Sequence, residues 1–125
     1  MSGAARRMLI AAALLLATAT LLGAFGAHGL RGALSAERMS TYQTAVQYQF
    51  FHALGLFGLG LLAERRPGRL LHIAGATLFA GILIFSGSLY LLVTGAPAWF
   101  GAITPVGGLC LIVAWVLAAA ALRRK

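Results

Sequence analysis

The chain has 125 residues, of which 61% are hydrophobic and only 10% are Asp, Glu, Lys or Arg. This composition is typical of an integral membrane protein, and the crossing segments leave no room for a soluble domain. The net charge of +8 does not indicate nucleic-acid binding, because the basic residues stand at the ends of the apolar runs, where they orient a membrane protein.

Four apolar stretches reach the roughly 20 residues that a helix needs to cross a bilayer. The first follows Arg6 and Arg7 and is longer than the core of a signal peptide, so it is predicted to remain as an uncleaved helix. The second helix is predicted to start as a polar extension near residue 36, with Ser35 as its N-cap, and Pro67-Gly68 reverses the chain after it. The predicted spans of this single membrane domain are 8–27, 44–63, 70–93 and 105–122.

Positive side chains are distributed unevenly between the two ends of these spans. Only Arg31 and Arg38 belong to the end that carries the first and third connections. The other end carries Arg6, Arg7, Arg65, Arg66, Arg69, Arg123, Arg124 and Lys125. The positive-inside rule therefore predicts an all-α, integral membrane four-helix bundle with both termini in the cytoplasm.

The polar residues of the spans collect at the opposite, outer end. The outer ends of the first, third and fourth helices have the sequences GAFGAHG, FSGSLY and ITPVGG. They lie beside the polar start of the second helix. A polar cluster is therefore predicted in the outer half of the bundle. Its members are His28, Tyr42, Gln47, Tyr48, Gln49, His52, Ser86, Ser88, Tyr90 and Thr104. On a helical wheel, Tyr42, Tyr48, Gln49 and His52 share one broad face, and Gln47 lies on the opposite side.

Two interpretations of this cluster are open. The polar side chains either form hydrogen bonds between helices of the bundle, or they line a site for a ligand, water or another protein. His28 and His52 could in principle ligate a metal or haem, but no carboxylate or thiol accompanies them, so no metal or cofactor is predicted. Glu37 and Glu64 fall on opposite sides of the membrane, and no catalytic set is found. We therefore predict no catalytic residue and no enzyme activity.

Four segments also match a known pattern in order. GAFGAHGL, YQTAVQYQFFHALGL, FSGSLYLL and GAITPVGG together resemble the YgdD-like family, small four-span inner-membrane proteins of bacteria that are classed as a domain of unknown function. The resemblance covers all four spans. It implies a location in the bacterial inner membrane and no established activity, and it supplies no catalytic residues.

The expected function is that of a non-catalytic accessory or interaction protein. Its expected partners are the lipid bilayer and either a larger membrane complex or further copies of the chain. The alternative is a carrier or binder of a small amphipathic ligand, such as a quinone or lipid. That ligand would be held by Tyr42, Gln49, His52, Ser88 and Tyr90.

Overall fold

The computed structural model describes residues 1–124 and is all-helical in that range. Its long helices are α1 (Gly3–His28), α2 (Ala36–Arg65), α3 (Arg69–Val93) and α4 (Thr104–Arg123). A short 3-10 helix, Ala98–Ala102, lies in the connection between α3 and α4. All four long helices are long and apolar enough to cross a membrane. The prediction of an all-α, four-helix membrane protein is confirmed.

Serine caps begin the first two helices. The Ser2 hydroxyl accepts a hydrogen bond from the backbone N–H of Ala5, and the Ser35 hydroxyl accepts one from Arg38, each at 3.2 Å. These contacts satisfy backbone donors that a helix start leaves free. α2 has 30 residues, which makes it about 45 Å long, against a hydrocarbon core of about 30 Å. Its first turns therefore extend beyond the hydrocarbon.

Both termini lie at the same end of the molecule. The backbone N–H of Ser2 donates to Glu64 Oε2 at 2.9 Å, and the amino group of Met1 is 3.8 Å from Oε1 of the same carboxylate. Arg66, in the α2–α3 turn, donates from Nη2 to the carbonyl of Arg124 at 3.0 Å. We call this the terminal end and the opposite one the distal end. Which of these two ends faces the cytoplasm stays a prediction.

The helices pack as an inner pair with two outer helices. α2 and α3 contact each other, α1 packs along α2, and α4 packs along α3. Glycines allow the close approaches: Gly81 faces Leu111, and Gly107 faces the backbone of Phe85. α1 approaches α3 much less extensively, in a contact where Met8 covers Gly75. The bundle therefore leaves a groove between α1 and α3, at membrane depth.

Candidate functional site

A network of hydrogen bonds centred on Gln49 joins three helices. The Gln49 amide nitrogen donates to the carbonyl of Leu15 and to the hydroxyl of Thr18, both at 2.8 Å and both on α1. Its amide oxygen accepts a hydrogen bond from the Tyr90 hydroxyl on α3 at 2.6 Å. The Gln49 side chain is buried, with 4% of its surface exposed. Both N–H donors of the amide are therefore occupied inside the chain.

Tyr42 extends this network toward the distal end. Its ring meets that of Tyr90 edge to face, with centroids 5.7 Å apart. Its hydroxyl donates to the backbone carbonyl of Leu22. Gly26 on α1 makes room for the ring, because a Cβ at that position would overlap it. Since a phenol has a single proton to donate, Tyr42 has no donor left for a ligand.

Two serines of α3 tie this helix to its neighbours. Ser86 is buried and donates to the carbonyl of Ala45 on α2 at 2.8 Å. Ser88 donates to the carbonyl of Phe85 at 2.9 Å and lies 2.6 Å from the Thr104 hydroxyl at the start of α4. Because a hydroxyl has one proton, Thr104 is the donor in the contact with Ser88. Ser86 therefore bonds α3 to α2, and the contact between Ser88 and Thr104 bonds α3 to α4.

Tyr48 and His52 lie apart from the Gln49 network. The Tyr48 ring stacks on Phe85 with centroids 4.7 Å apart. Nδ1 of His52 accepts a hydrogen bond from the indole N–H of Trp115 on α4 at 3.1 Å. Tyr48 is 39% exposed and Trp115 is 38% exposed, so this aromatic group forms part of the outer surface of the bundle.

The four residues of the broad face therefore have different neighbours. Tyr42 and Gln49 lie between α1 and α3, whereas Tyr48 stacks on Phe85 of α3 and His52 bonds to α4. Tyr42 and Gln49 are buried, whereas Tyr48 is exposed and His52 is partly exposed.

Two predicted members are not brought into either group. His28 is the last residue of α1 and is exposed. Gln47 is exposed and lines a cleft of about 400 Å³ between α1 and α2, together with Gly23, Gly26 and Gln43. Within residues 1–124, neither side chain makes a hydrogen bond.

Sequence reasoning missed two participants, Thr18 and Trp115. Each lies within an apolar run, Thr18 in α1 and Trp115 in α4. A threonine can bond to its own helix, as Thr18 does to Leu14, so its presence alone does not indicate an interhelical partner. The indole N–H of Trp115 needs a hydrogen-bond acceptor inside a membrane. This requirement is the one feature of the sequence that could have predicted a polar partner such as His52.

The arrangement offers hydrogen bonds between helices. In the part of the chain that the structure describes, no three His, Cys, Asp or Glu side chains come together as metal ligands. Gln49, Ser88 and Tyr90 line none of the five principal cavities found in that part. Of the side chains proposed to hold an amphipathic ligand, only Tyr42 borders a cavity, and its hydroxyl proton is already bonded.

Comparison with known proteins identifies the family. Residues 22–108 match the family described as "Protein of unknown function (DUF423)". The chain belongs to this family. It is 46% identical over 97 residues to the UPF0382 membrane protein YwdK of Bacillus subtilis, covering 77% of this chain and 79% of that protein. It is also 38% identical over 112 residues to the UPF0382 inner membrane protein YgdD of Escherichia coli, covering 90% and 86%.

The match includes every element of the Gln49 network on α2 and α3, since residues 22–108 contain Gln49, Tyr42 and Tyr90. The predicted resemblance to the YgdD-like family is confirmed, as is the description of the chain as a membrane protein. No solved structure matches the chain.

Proposed function

We propose that the protein is a non-catalytic accessory protein of the bacterial inner membrane, with both termini in the cytoplasm. It binds a transmembrane helix of another membrane protein in the cleft between α1 and α2. The observation that carries this proposal is the pair Gln43 and Gln47, which are exposed, line the cleft and make no hydrogen bond with residues 1–124.

The depth of Gln47 in the membrane determines whether its amide needs a protein partner. Gln47 lies 16 residues before Ala63, the last buried residue of α2, and is thus about 24 Å from that residue along the helix. This distance places its amide within a hydrocarbon core of about 30 Å, where lipid tails offer no hydrogen-bond partner. A polar side chain of a neighbouring helix would satisfy it.

The wall of the cleft suits a helix. Gly23 and Ala27 of α1 form one side, with Tyr42 and Val46 of α2 beside them, while Gly26 is already covered by the Tyr42 ring. Small residues let two helices approach closely, which is the main source of attraction between helices in a membrane. The cleft thus combines close packing with two free amides, four residues apart on the same side of α2.

A photo-crosslinking amino acid placed at Gln47 tests the proposal in native membranes. The control is the same amino acid at Val106, which is 55% exposed and lies 16 residues before Leu122 of α4, at the matching depth. We expect a discrete protein adduct from position 47, weakened by Gln43→Leu in the same chain, and only lipid adducts from position 106. Lipid adducts alone at both positions, an adduct of twice the chain's mass, or a turnover activity of the purified protein would each overturn it.

A second candidate, the binding of a quinone-like ligand, is favoured by one observation. Because Nδ1 of His52 accepts the Trp115 N–H, the neutral ring carries its proton on Nε2, and this donor is unbonded within residues 1–124. The adjacent Tyr48, Phe85 and Trp115 rings supply flat apolar surfaces. A quinone that copurifies with the wild type and the His28→Leu variant, but not with His52→Leu, would support this candidate. Equal amounts in all three would exclude it.

A further inference from the structure

His72 is partly exposed, but one of its ring nitrogens is buried and has no partner. It is the fourth residue of α3, and its Nε2 is the one buried side-chain nitrogen or oxygen in residues 1–124 that makes no hydrogen bond. Leaving such an atom unbonded lowers the stability of a folded protein. Because His72 also lines a cavity, a ligand in that cavity would supply the missing hydrogen bond.

The ring of His72 borders the groove between α1 and α3. Two cavities of about 340 and 390 Å³ lie along this groove and share the walls Arg7, Ala11 and Phe79. The first reaches Ala4 and the second reaches Thr18. Fourteen residues of α1 separate these points, which makes the groove about 21 Å long. This exceeds the ~15 Å depth of one leaflet's hydrocarbon, enough for an acyl chain.

Polar side chains are concentrated at one end of the groove. Arg7 and His72 both line the cavity nearer the terminal end. Within residues 1–124 Arg7 forms no ion pair, and the Glu64 carboxylate contacts the amino group of Met1 and the N–H of Ser2. The second cavity is lined, apart from Arg7 and Thr18, by apolar side chains only.

We propose that the α1–α3 groove binds one anionic phospholipid. The phosphate accepts hydrogen bonds from the Arg7 guanidinium and from a ring N–H of His72, and one acyl chain lies along Leu14, Phe79 and Leu83. An arginine and a histidine are a suitable donor pair for a phosphate oxygen, and the apolar walls exclude a ligand that is charged along its length. This site is separate from the cleft between α1 and α2, so an experiment can disprove lipid binding in the groove without disproving helix binding in the cleft, and the reverse.

The test uses the full-length protein, delipidated in mild detergent and titrated with dioleoyl phosphatidylglycerol by native mass spectrometry. Arg7→Gln is compared with Arg6→Gln, which removes the same charge from the adjacent residue that does not line the groove. Ala76→Leu narrows the groove at an exposed position, and Ala80→Leu adds the same side chain to an exposed position outside it. We expect about tenfold weaker binding for Arg7→Gln and Ala76→Leu, and less than about twofold change for the controls.

The variant His72→Leu distinguishes a residue that binds lipid from one that only stabilises the fold. The variant removes an unbonded buried nitrogen, so we expect lipid-free protein to unfold at the same or a higher temperature while phosphatidylglycerol binding weakens several-fold. A lower unfolding temperature with unchanged binding would contradict the proposal.

Further titrations identify the source of the phosphate. Glycerol phosphate supplies the headgroup without chains, and dioleoyl phosphatidylcholine supplies the chains with a zwitterionic headgroup. We expect neither to displace phosphatidylglycerol at equal concentration. Displacement by phosphatidylcholine would show an annular lipid only, and displacement by glycerol phosphate would show a phosphate site without a bound chain. Equal losses in Arg6→Gln and Arg7→Gln would show general surface charge. Each of these three results would overturn the proposal.

Discussion

Gln49 is the residue on which the contacts among α1, α2 and α3 converge. In Gln49→Leu the Tyr90 hydroxyl loses its acceptor inside an apolar bundle, and the bonds from the amide to Leu15 and Thr18 are also lost. We expect a loss of about 1–2 kcal/mol in the free energy of unfolding, above the average of about 0.6 for one hydrogen bond between membrane helices, because several are lost together. Unfolding by SDS in mixed micelles measures it. Gln47→Leu, two residues away and without an internal partner, should change stability by less than about 0.5 kcal/mol; equal losses would show that the network adds no stability.

At the same scale, sequence reasoning identified the polar residues but not their partners. Tyr42, Gln49 and Tyr90 were named because polar groups inside a membrane must be bonded, and this requirement depends on residue type alone. Which helix satisfies each group depends on the angle at which α2 meets α1 and α3. The bond from Gln49 to Thr18 depends on that angle, as does the separation of His52 from Gln49. Neither could be read from spacing along one helix.

The contact between α3 and α4 depends on glycine at the helix interface. A Cβ at position 107 would stand 2.7 Å from the Phe85 Cα, and a backbone atom cannot move aside without shifting the helix. We expect Gly107→Ala to lower the free energy of unfolding by about 1–3 kcal/mol. Moving α4 should also break the bond between Ser88 and Thr104. The SDS titration measures the loss.

Gly58 provides the matched control for this element. It lies inside α2 and nothing would be within 4 Å of an added Cβ, so Gly58→Ala should leave stability unchanged or raise it by up to about 1 kcal/mol through helix propensity. If both variants lose the same stability, close packing at position 107 is not the cause.

Helix starts and reversals follow local chemistry and could be predicted, whereas the spacing of the helices could not. Ser35 precedes α2, and Pro67 and Gly68 separate α2 from α3, as their side chains and backbone preferences require. The groove between α1 and α3 results from which side chains fill the contact, with Met8 over Gly75 as a spacer. Local sequence does not contain that pairing.

At the scale of the whole molecule, charge and packing agree on which groups share an end. The contacts of Glu64 with the N-terminus and of Arg66 with the last residues of α4 place both termini beside the α2–α3 turn. Since eight of the ten basic residues belong to that end in the sequence, the positive-inside rule predicts that it faces the cytoplasm.

Reporter fusions test this orientation directly. An alkaline phosphatase that is active only in the periplasm should be silent when fused after Leu122 and active when fused near Ala98, in the connection between α3 and α4. The expected contrast is large, because the reporter folds on one side only. Replacing Arg65, Arg66 and Arg69 by glutamine removes three of the charges that hold the α2–α3 turn inside, so some activity should appear at the Leu122 fusion. Full activity after Leu122 with silence near Ala98 in the unaltered chain would reverse the assignment of the terminal end.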